Sequence, residues 1–229
     1  MKEFRFALRQ TFPIFFTYLF LGTAFGVLMA EAGYPPWLSG IMAVVIYAGS
    51  MQLVLVPLLV AKTSLPMLAV MTLFINGRHI FYGIAMIERF RSMGWRFPYM
   101  IHALTDETYS ILCSVRYDEG LDEKQAAFWI ALQDHSYWIL GCVLGTCLGR
   151  YFHIGAEGID FSCTAFFLVV VINQWRESRS HLPAFCGLFF ALLFFVLLGP
   201  DRFLIPALCA STIALVLLRE TIEKQEARL

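Results

Sequence analysis

Long apolar runs separated by short polar loops make up most of this chain. Backbone groups in lipid must be hydrogen-bonded within their own segment, and the alternating pattern of a membrane barrel is absent, so the runs predict helices. Eight segments carry the pattern: Pro13–Ala30, Leu38–Val60, Leu65–Ile87, Phe97–Val115, Ala126–Gly149, Phe161–Asn173, Leu182–Gly199 and Phe203–Leu218. Several approach or exceed the roughly 20 apolar residues that a helix needs to cross a bilayer. We therefore expect an all-α, polytopic membrane helix bundle of about six to eight segments.

Composition strengthens this prediction. Hydrophobic residues make up 59% of the 229 residues, whereas soluble domains usually contain about 45–50%. Little sequence is left for a soluble domain, so we predict a single integral membrane domain over residues 1–229. The formal net charge of zero gives no support to nucleic-acid binding. The sequence has no GxxxxGKS or GxxxxGKT loop, no HExxH motif and no paired Cys/His pattern, so we expect no enzyme, no metal site and no cofactor.

Basic residues near the segment ends predict the orientation, because cytoplasmic loops are enriched in Lys and Arg. The residues concerned are Lys2, Arg5, Arg9, Lys62, Arg89, Arg91 and Arg96. The first three place the N-terminus in the cytoplasm, and Lys62 then falls on the same side. The last three fall outside if every segment spans, and stay inside if the third and fourth segments are re-entrant hairpins. Both alternatives give an even number of crossings and two cytoplasmic termini.

The chain also contains a weak internal repeat. Leu21–Gly26 is similar to Leu144–Gly149, and Gln52 and Gln174 follow the two copies at nearly equal distances. The likeness predicts two four-segment halves that run in the same direction, since many transporters are built from repeats. Both copies carry glycines at four-residue spacing, which lets helix backbones approach closely. These glycines serve either packing within the chain or docking of a partner subunit.

The third segment carries polar residues near its middle, where lipid penalises them most. A central Arg costs about 2.5–3.5 kcal/mol on insertion scales, so such a residue is expected to face protein, water or a solute. Gly77 lies among these polar residues, and we expect a broken helix there that aims polar groups into a cavity. The predicted substrate-binding residues are Asn76, Arg78, His79, Tyr82 and Gln52. Alternatively, Arg78 snorkels to the headgroups.

Three acidic residues are candidates for a coupling or proton-relay role. Asp106 and Glu107 interrupt the fourth segment, and Asp134 lies in the fifth. A carboxylate inside a membrane protein can carry a proton during transport or pair with a substrate ammonium. Asp106 or Glu107 can equally neutralise Arg78. The alternatives for Asp106 and Glu107 are a solvated turn or a helix cap, whereas the favoured interpretation of Asp134 is an interfacial cap network.

Four motifs occur in an order that resembles a known family. They are Leu21–Gly26, Tyr47–Gln52, Asn76–His79 followed by Tyr82-Gly83, and Leu104–Thr108. In order and spacing they resemble the large subunit of the AzlC family of branched-chain amino-acid permeases, most strongly from Thr11 to Tyr109. The resemblance implies a bacterial inner-membrane exporter of branched-chain or similar apolar amino acids. It also implies a small AzlD-type membrane subunit as partner, with membrane lipid around both.

A zwitterionic substrate needs one cationic anchor, one anionic anchor and an apolar pocket. Arg78 suits the carboxylate, because its planar fork matches both oxygens. Asp106 or Glu107 suits the ammonium or a coupling proton, and Phe74, Phe81 and Tyr82 suit the side chain. The leading hypothesis is therefore a secondary exporter of apolar amino acids. The alternative is a channel or a transporter for another small solute.

Overall fold

The secondary structure of the described residues is helical throughout, with no strand among them. The computed structural model describes residues 2–152, 168, 171–172, 175–176, 180–199 and 203–219. The chain divides into two compact units, Met1–Ser162 and Cys163–Leu229. The all-α prediction is confirmed for the described residues, whereas a single domain over residues 1–229 stays a prediction.

Three of the predicted apolar segments in the first unit are broken into pairs of helices. The helices of this unit are α1 (Lys2–Glu31), α2 (Pro36–Val45), α3 (Gly49–Val60), α4 (Leu65–Asn76), α5 (Arg78–Arg91), a 3₁₀ helix (Gly94–Arg96), α6 (Phe97–His102), α7 (Asp106–Ser114) and α8 (Glu123–Phe152). The first and fifth segments form the continuous helices α1 and α8, each of 30 residues. The second, third and fourth segments are interrupted at residues 46–48, 77 and 103–105.

The glycine-spaced helices α1 and α8 pack directly against each other. A Cβ atom added to Gly26 would lie 2.5 Å from the backbone nitrogen of Thr146, and one added to Gly145 would lie 2.6 Å from Thr23 Cα. Only glycine permits backbones to approach this closely. Phe4 contacts Trp129 near the start of both helices, so the two run parallel, as the internal repeat predicts. The glycine ladders therefore serve internal packing.

The fourth segment forms a hairpin that enters and leaves at one end of the first unit. Just before α6, the Arg96 guanidinium lies 4.9 Å from the centre of the Phe128 ring. Just after α7, the rings of Phe6 and Tyr117 stack at 5.7 Å. Phe6 and Phe128 lie near the starts of the parallel helices α1 and α8, so both arms share that end. The fourth segment therefore has the geometry of the re-entrant alternative, in which the chain turns back to the end from which it entered.

The third segment instead passes through the unit with a kink. α4 and α5 meet at an angle of 54°, so the chain bends at Gly77 without reversing. α5 ends beside the start of α1, where Arg89 Nη2 donates to Tyr117 OH at 2.6 Å. The start of α4, and with it Lys62, therefore lies beyond the kink, away from the N-terminus. The prediction of a broken helix is confirmed, whereas the side of the membrane on which Lys62 lies stays a prediction.

The second segment forms another hairpin, which faces the first. α3 returns against α4 through the turn at residues 61–64, and Thr72 Oγ1 donates to Met51 Sδ at 3.7 Å. The tips of the two hairpins meet, since His102 Nε2 lies 2.9 Å from Val44 O. Two opposed hairpins thus place their helix breaks side by side within the unit.

One described helix, α1, is long and apolar enough by itself to cross a membrane. The bent pair of α4 and α5 meets the same test when taken together. The remaining apolar helices are shorter or more polar, because the breaks divide the runs that the sequence presents as continuous. This finding is compatible with a polytopic membrane bundle.

The second unit contains two apolar helices among its described residues. α9 spans Leu182–Leu198 and α10 spans Leu204–Leu217. They pack against each other, with Cys186 Sγ 4.0 Å from Ser211 O. These helices match the seventh and eighth predicted segments. Most of the sixth segment, and Gln174 of the internal repeat, lie outside the described residues.

Candidate functional site

An ion pair joins the kink of the third segment to the tip of the fourth. Arg78 Nη2 lies 2.7 Å from Asp106 Oδ2, and each side chain keeps just over a third of its surface exposed. The same nitrogen donates to Ser50 Oγ at 3.3 Å. Arg78 Nε is buried and has no hydrogen-bond partner among the described residues. The predicted neutralisation of Arg78 by Asp106 is confirmed as a contact, and the guanidinium keeps donor capacity for a ligand.

Helix starts determine the positions of both charges. Gly77 precedes Arg78 at the kink, where an added Cβ would lie 2.7 Å from Leu73 O. Thr105 caps α7 by accepting from Thr108 N at 3.4 Å, and Asp106 is the first residue of that helix. A carboxylate is favoured there by the helix dipole. Thr105, and not Asp106, therefore caps α7, so the Asp106 side chain can face Arg78.

His79 and two tyrosines extend the site along α5 and α7. His79 Nε2 lies 3.8 Å from Asp106 Oδ1. The Tyr82 ring contacts the His79 ring edge to face and stacks on Tyr109 at a centroid distance of 4.5 Å. Asn76 ends α4 one residue before the kink, and its side chain forms no hydrogen bond among the described residues. The structure thus brings Arg78, His79, Asp106 and Tyr82 together and leaves Asn76 beside them.

Glu107 turns away from the ion pair and into the protein. Tyr18 OH donates to Glu107 Oε2 at 2.7 Å and lies 2.7 Å from Thr105 Oγ1. Tyr18 is buried in α1, so this hydroxyl ties the hairpin tip to the α1–α8 pair. Adjacent carboxylates on α7 therefore face different surroundings, one half-exposed beside an arginine and one enclosed beside a tyrosine.

Asp134 is fully buried in the middle of α8. Thr108 Oγ1 donates to Asp134 Oδ2 at 2.9 Å, and Oδ1 has no hydrogen-bond partner among the described residues. Both atoms lie deep in the unit, well away from either end of α8. The interfacial-cap alternative for Asp134 is therefore wrong.

Gln52 lies fully buried at the break in the second segment. Its Oε1 accepts hydrogen bonds from Trp138 Nε1 at 2.9 Å and from Ala48 N at 3.2 Å. Gln52 therefore does not contact the ion pair directly, although Ser50, two residues earlier, does. The break itself is held by Tyr47, whose φ of 41° lies in a region that aromatic residues rarely adopt.

Sequence reasoning missed the aromatic residues that hold the two hairpin tips. The Tyr47 ring stacks on His135 at 4.1 Å, and Tyr99 OH lies 3.0 Å from His135 Nδ1. His135 also contacts the second segment, with Nε2 3.3 Å from Ala43 O. Tyr18 is the other such residue. A polar atom within an apolar run was the available signal for all three tyrosines, Tyr18, Tyr47 and Tyr99.

Comparisons with known proteins agree on one family. The sequence model of the AzlC family, described as AzlC protein, matches residues 13–152. The chain is 37% identical over 224 residues to the branched-chain amino acid transport protein AzlC of Bacillus subtilis, which covers 97% of this chain and 88% of that protein.

Two further relatives bear the names of membrane proteins. An uncharacterized membrane protein of Helicobacter pylori strain J99 is 37% identical over 223 residues, or 97% of this chain and 98% of that protein. The inner membrane protein YgaZ of Escherichia coli is 26% identical over 185 residues, or 75% of this chain and 73% of that protein. No solved structure matches the chain significantly.

Proposed function

The chain belongs to the AzlC family of membrane transport proteins, and from this premise we propose that it exports branched-chain or similar apolar amino acids as a secondary transporter. Membership in this family makes it a transport protein and not an enzyme. The direction of transport, the substrate and the partner belong to the proposal. The Bacillus relative, named for branched-chain amino acid transport, supports the substrate class.

The ion pair of Arg78 and Asp106 is the observation that carries this proposal. Opposite charges 2.7 Å apart, each partly exposed, stand where a kinked helix meets a hairpin tip. Exposed pairs contribute only about 0–1 kcal/mol to stability, so a structural role alone is a weak reason to keep these charges inside a membrane protein. A zwitterion can insert between them, with its carboxylate on Arg78 and its ammonium on Asp106.

Neighbouring residues can contact the apolar side chain of such a substrate and provide further polar contacts. Tyr82, stacked on Tyr109, offers apolar surface beside the charges, and Phe74 is a further proposed contact for the substrate side chain. His79 and Asn76 offer polar atoms at the kink. Gln52 contributes from the break in the second segment.

The enclosed carboxylates are the proposed coupling groups. Glu107 and Asp134 lie deeper than Asp106, and Thr108 connects α7 to Asp134. Movement of α7 would change the proton affinity of both carboxylates. Glu107 would lose its hydrogen bond from Tyr18, and Asp134 would lose its hydrogen bond from Thr108. Substrate on Asp106 can therefore influence a proton on the next residue of the same helix.

We place the N-terminal end of the first unit in the cytoplasm of a bacterial inner membrane. This end carries the starts of α1 and α8 together with Arg89, Arg96 and Lys124, and Lys124 Nζ donates to Ser92 O at 3.1 Å. The positive-inside rule then no longer conflicts with the arginines, because the second segment reverses and the third segment returns the chain to the cytoplasmic side before Arg89, Arg91 and Arg96. An even number of crossings and a cytoplasmic C-terminus remain predictions.

A small AzlD-type membrane subunit is the proposed partner, as the family resemblance implies. Both subunits should be present when function is tested. Cells that produce both and are loaded with labelled valine should export it. Arg78→Ala and Asp106→Asn should each reduce export at least about tenfold, since each removes a charge-assisted contact worth about 1.5–3 kcal/mol.

Matched controls separate this site from general loss of charge. Arg91→Ala and Asp118→Asn remove exposed charges at the cytoplasmic end and should export at the wild-type rate. The site assignment is wrong if Arg78→Ala and Asp106→Asn both export like the wild type at equal expression. A steady ionic current without amino acid in a voltage-clamped bilayer would favour a channel instead.

A further inference from the structure

The start of α3 presents unused backbone donors beside Arg78. The first backbone hydrogen bond of this helix runs from Gln52 N to Ala48 O at 2.8 Å. The N–H groups of Gly49, Ser50 and Met51 precede it and have no hydrogen-bond partner among the described residues. Such groups, together with the helix dipole, favour an anion.

A second observation points to a ligand at the same place. Gln52 is fully buried, and its Nε2 has no hydrogen-bond partner among the described residues. The two donors on its Oε1, Ala48 N and Trp138 Nε1, fix which end of the amide is the oxygen. Since Oε1 lies 3.2 Å from Ala48 N, the amide is held at the N-terminal end of α3, with Nε2 as its spare donor.

Arg78 completes this arrangement. Its Nη2 reaches Ser50 Oγ at 3.3 Å, which places the guanidinium at the first turn of α3. Its Nε is buried and unpaired among the described residues, as Gln52 Nε2 is. An enclosed donor without an acceptor costs about 1–3 kcal/mol, so two of them around unused backbone N–H groups indicate a missing acceptor.

We propose that the N-terminus of α3, Gln52 Nε2 and Arg78 together form a cradle for the carboxylate of the transported amino acid. The inference rests on the proposed function and adds the part of the site that recognises the carboxylate. Asp106, on the opposite hairpin, holds the ammonium. The cradle therefore requires a free α-carboxylate, and it selects that group by backbone geometry as well as by charge.

A substitution at the first residue of α3 tests the cradle with little change in shape. Gly49→Pro removes one backbone N–H, and proline is well tolerated at the first position of a helix. Gly49→Ala is the matched control, because it keeps the N–H while adding the same Cβ, which lies 3.1 Å from the Trp138 ring. Gln52→Met is a second variant of similar volume, which removes the spare donor together with the acceptor for Ala48 N and Trp138 Nε1; comparing the acid probe with the amine probe separates the two effects.

Binding to the purified full chain with its partner subunit is measured for three probes. Leucine carries both charges, 4-methylpentanoate only the carboxylate and 3-methylbutylamine only the ammonium. Gly49→Pro and Gln52→Met should weaken leucine and 4-methylpentanoate about tenfold or more relative to Gly49→Ala, since each loses a hydrogen bond to a charged group. The amine should bind all of these proteins equally.

The outcomes distinguish the cradle from the proposed function. Wild-type binding of leucine with equal binding by Gly49→Pro and Gly49→Ala would overturn the cradle alone. Equal weakening of the acid and the amine would also overturn it, since that result reports general disruption. No binding of leucine by the wild type would overturn both.

Discussion

Replacing Gly26 with alanine tests whether close packing of α1 on α8 holds the first unit together. An added Cβ would lie 2.5 Å from Thr146 N and 2.8 Å from Gly145 C, whereas ordinary contact begins at 3.4 Å. At least the difference of 0.9 Å between 2.5 and 3.4 Å must come from separation of the two helix backbones, since Cys142 O lies nearer still and no flexible side chain is involved.

The cost follows from that separation. Overpacking of this kind costs about 1–3 kcal/mol, and a gap of about 0.5–1 Å also forfeits a quarter to a half of the neighbouring dispersion contacts. Alanine recovers about 0.5–1 kcal/mol, because glycine is the poorer helix former. We expect a net loss of about 2 kcal/mol, which corresponds to a melting temperature lower by about 4–8 °C for a chain of this size.

Thermal unfolding of the purified chain in detergent, followed by tryptophan fluorescence, measures this change. Gly83→Ala in α5 is the control, because no atom lies within 4 Å of its added Cβ. That variant should melt at the wild-type temperature or slightly above it. Equal melting temperatures for Gly26→Ala and Gly83→Ala would refute the argument that the ladders hold α1 against α8.

Two further predictions concern the hairpin tip and the topology. Tyr18→Phe keeps the ring packing but removes the hydroxyl that contacts Thr105 and Glu107 at 2.7 Å; it should lower the free energy of unfolding by about 1–3 kcal/mol in denaturant titrations. An unchanged midpoint would contradict the role of this hydroxyl. In a cysteine-free background, an impermeant maleimide should label Thr63→Cys from outside and Ser92→Cys from the cytoplasm, and labelling of both from one side would contradict the crossing of α4 and α5.

Local sequence was sufficient to predict the roles of the residues whose transfer into lipid costs most free energy. Asn76, Arg78 and His79 beside Gly77 predict a broken helix, and the 54° kink lies there. Asp106 follows from the same reasoning, because a charge in an apolar run needs a partner. The contact between Arg78 and Asp106 was among the alternatives that residue types alone allow.

Hydropathy could not predict which segments reverse. A hairpin and a crossing bury the same apolar residues, so the second and fourth segments carry no composition that separates the two. Their breaks at residues 46–48 and 103–105 depend on contacts with Tyr18 and His135, which lie far away in the chain.

The sequence by itself determined that this is a helical, lipid-adapted chain with a few costly charges and glycine-spaced helices, because those properties depend on transfer free energy and local geometry. Only the tertiary structure decided that two hairpins enter from opposite ends, that Glu107 and Asp106 face different surroundings, and that the unused donors of α3 lie beside Arg78. These features arise from the packing of segments that are distant in sequence, and the periodicity of one segment does not determine which other segments pack against it.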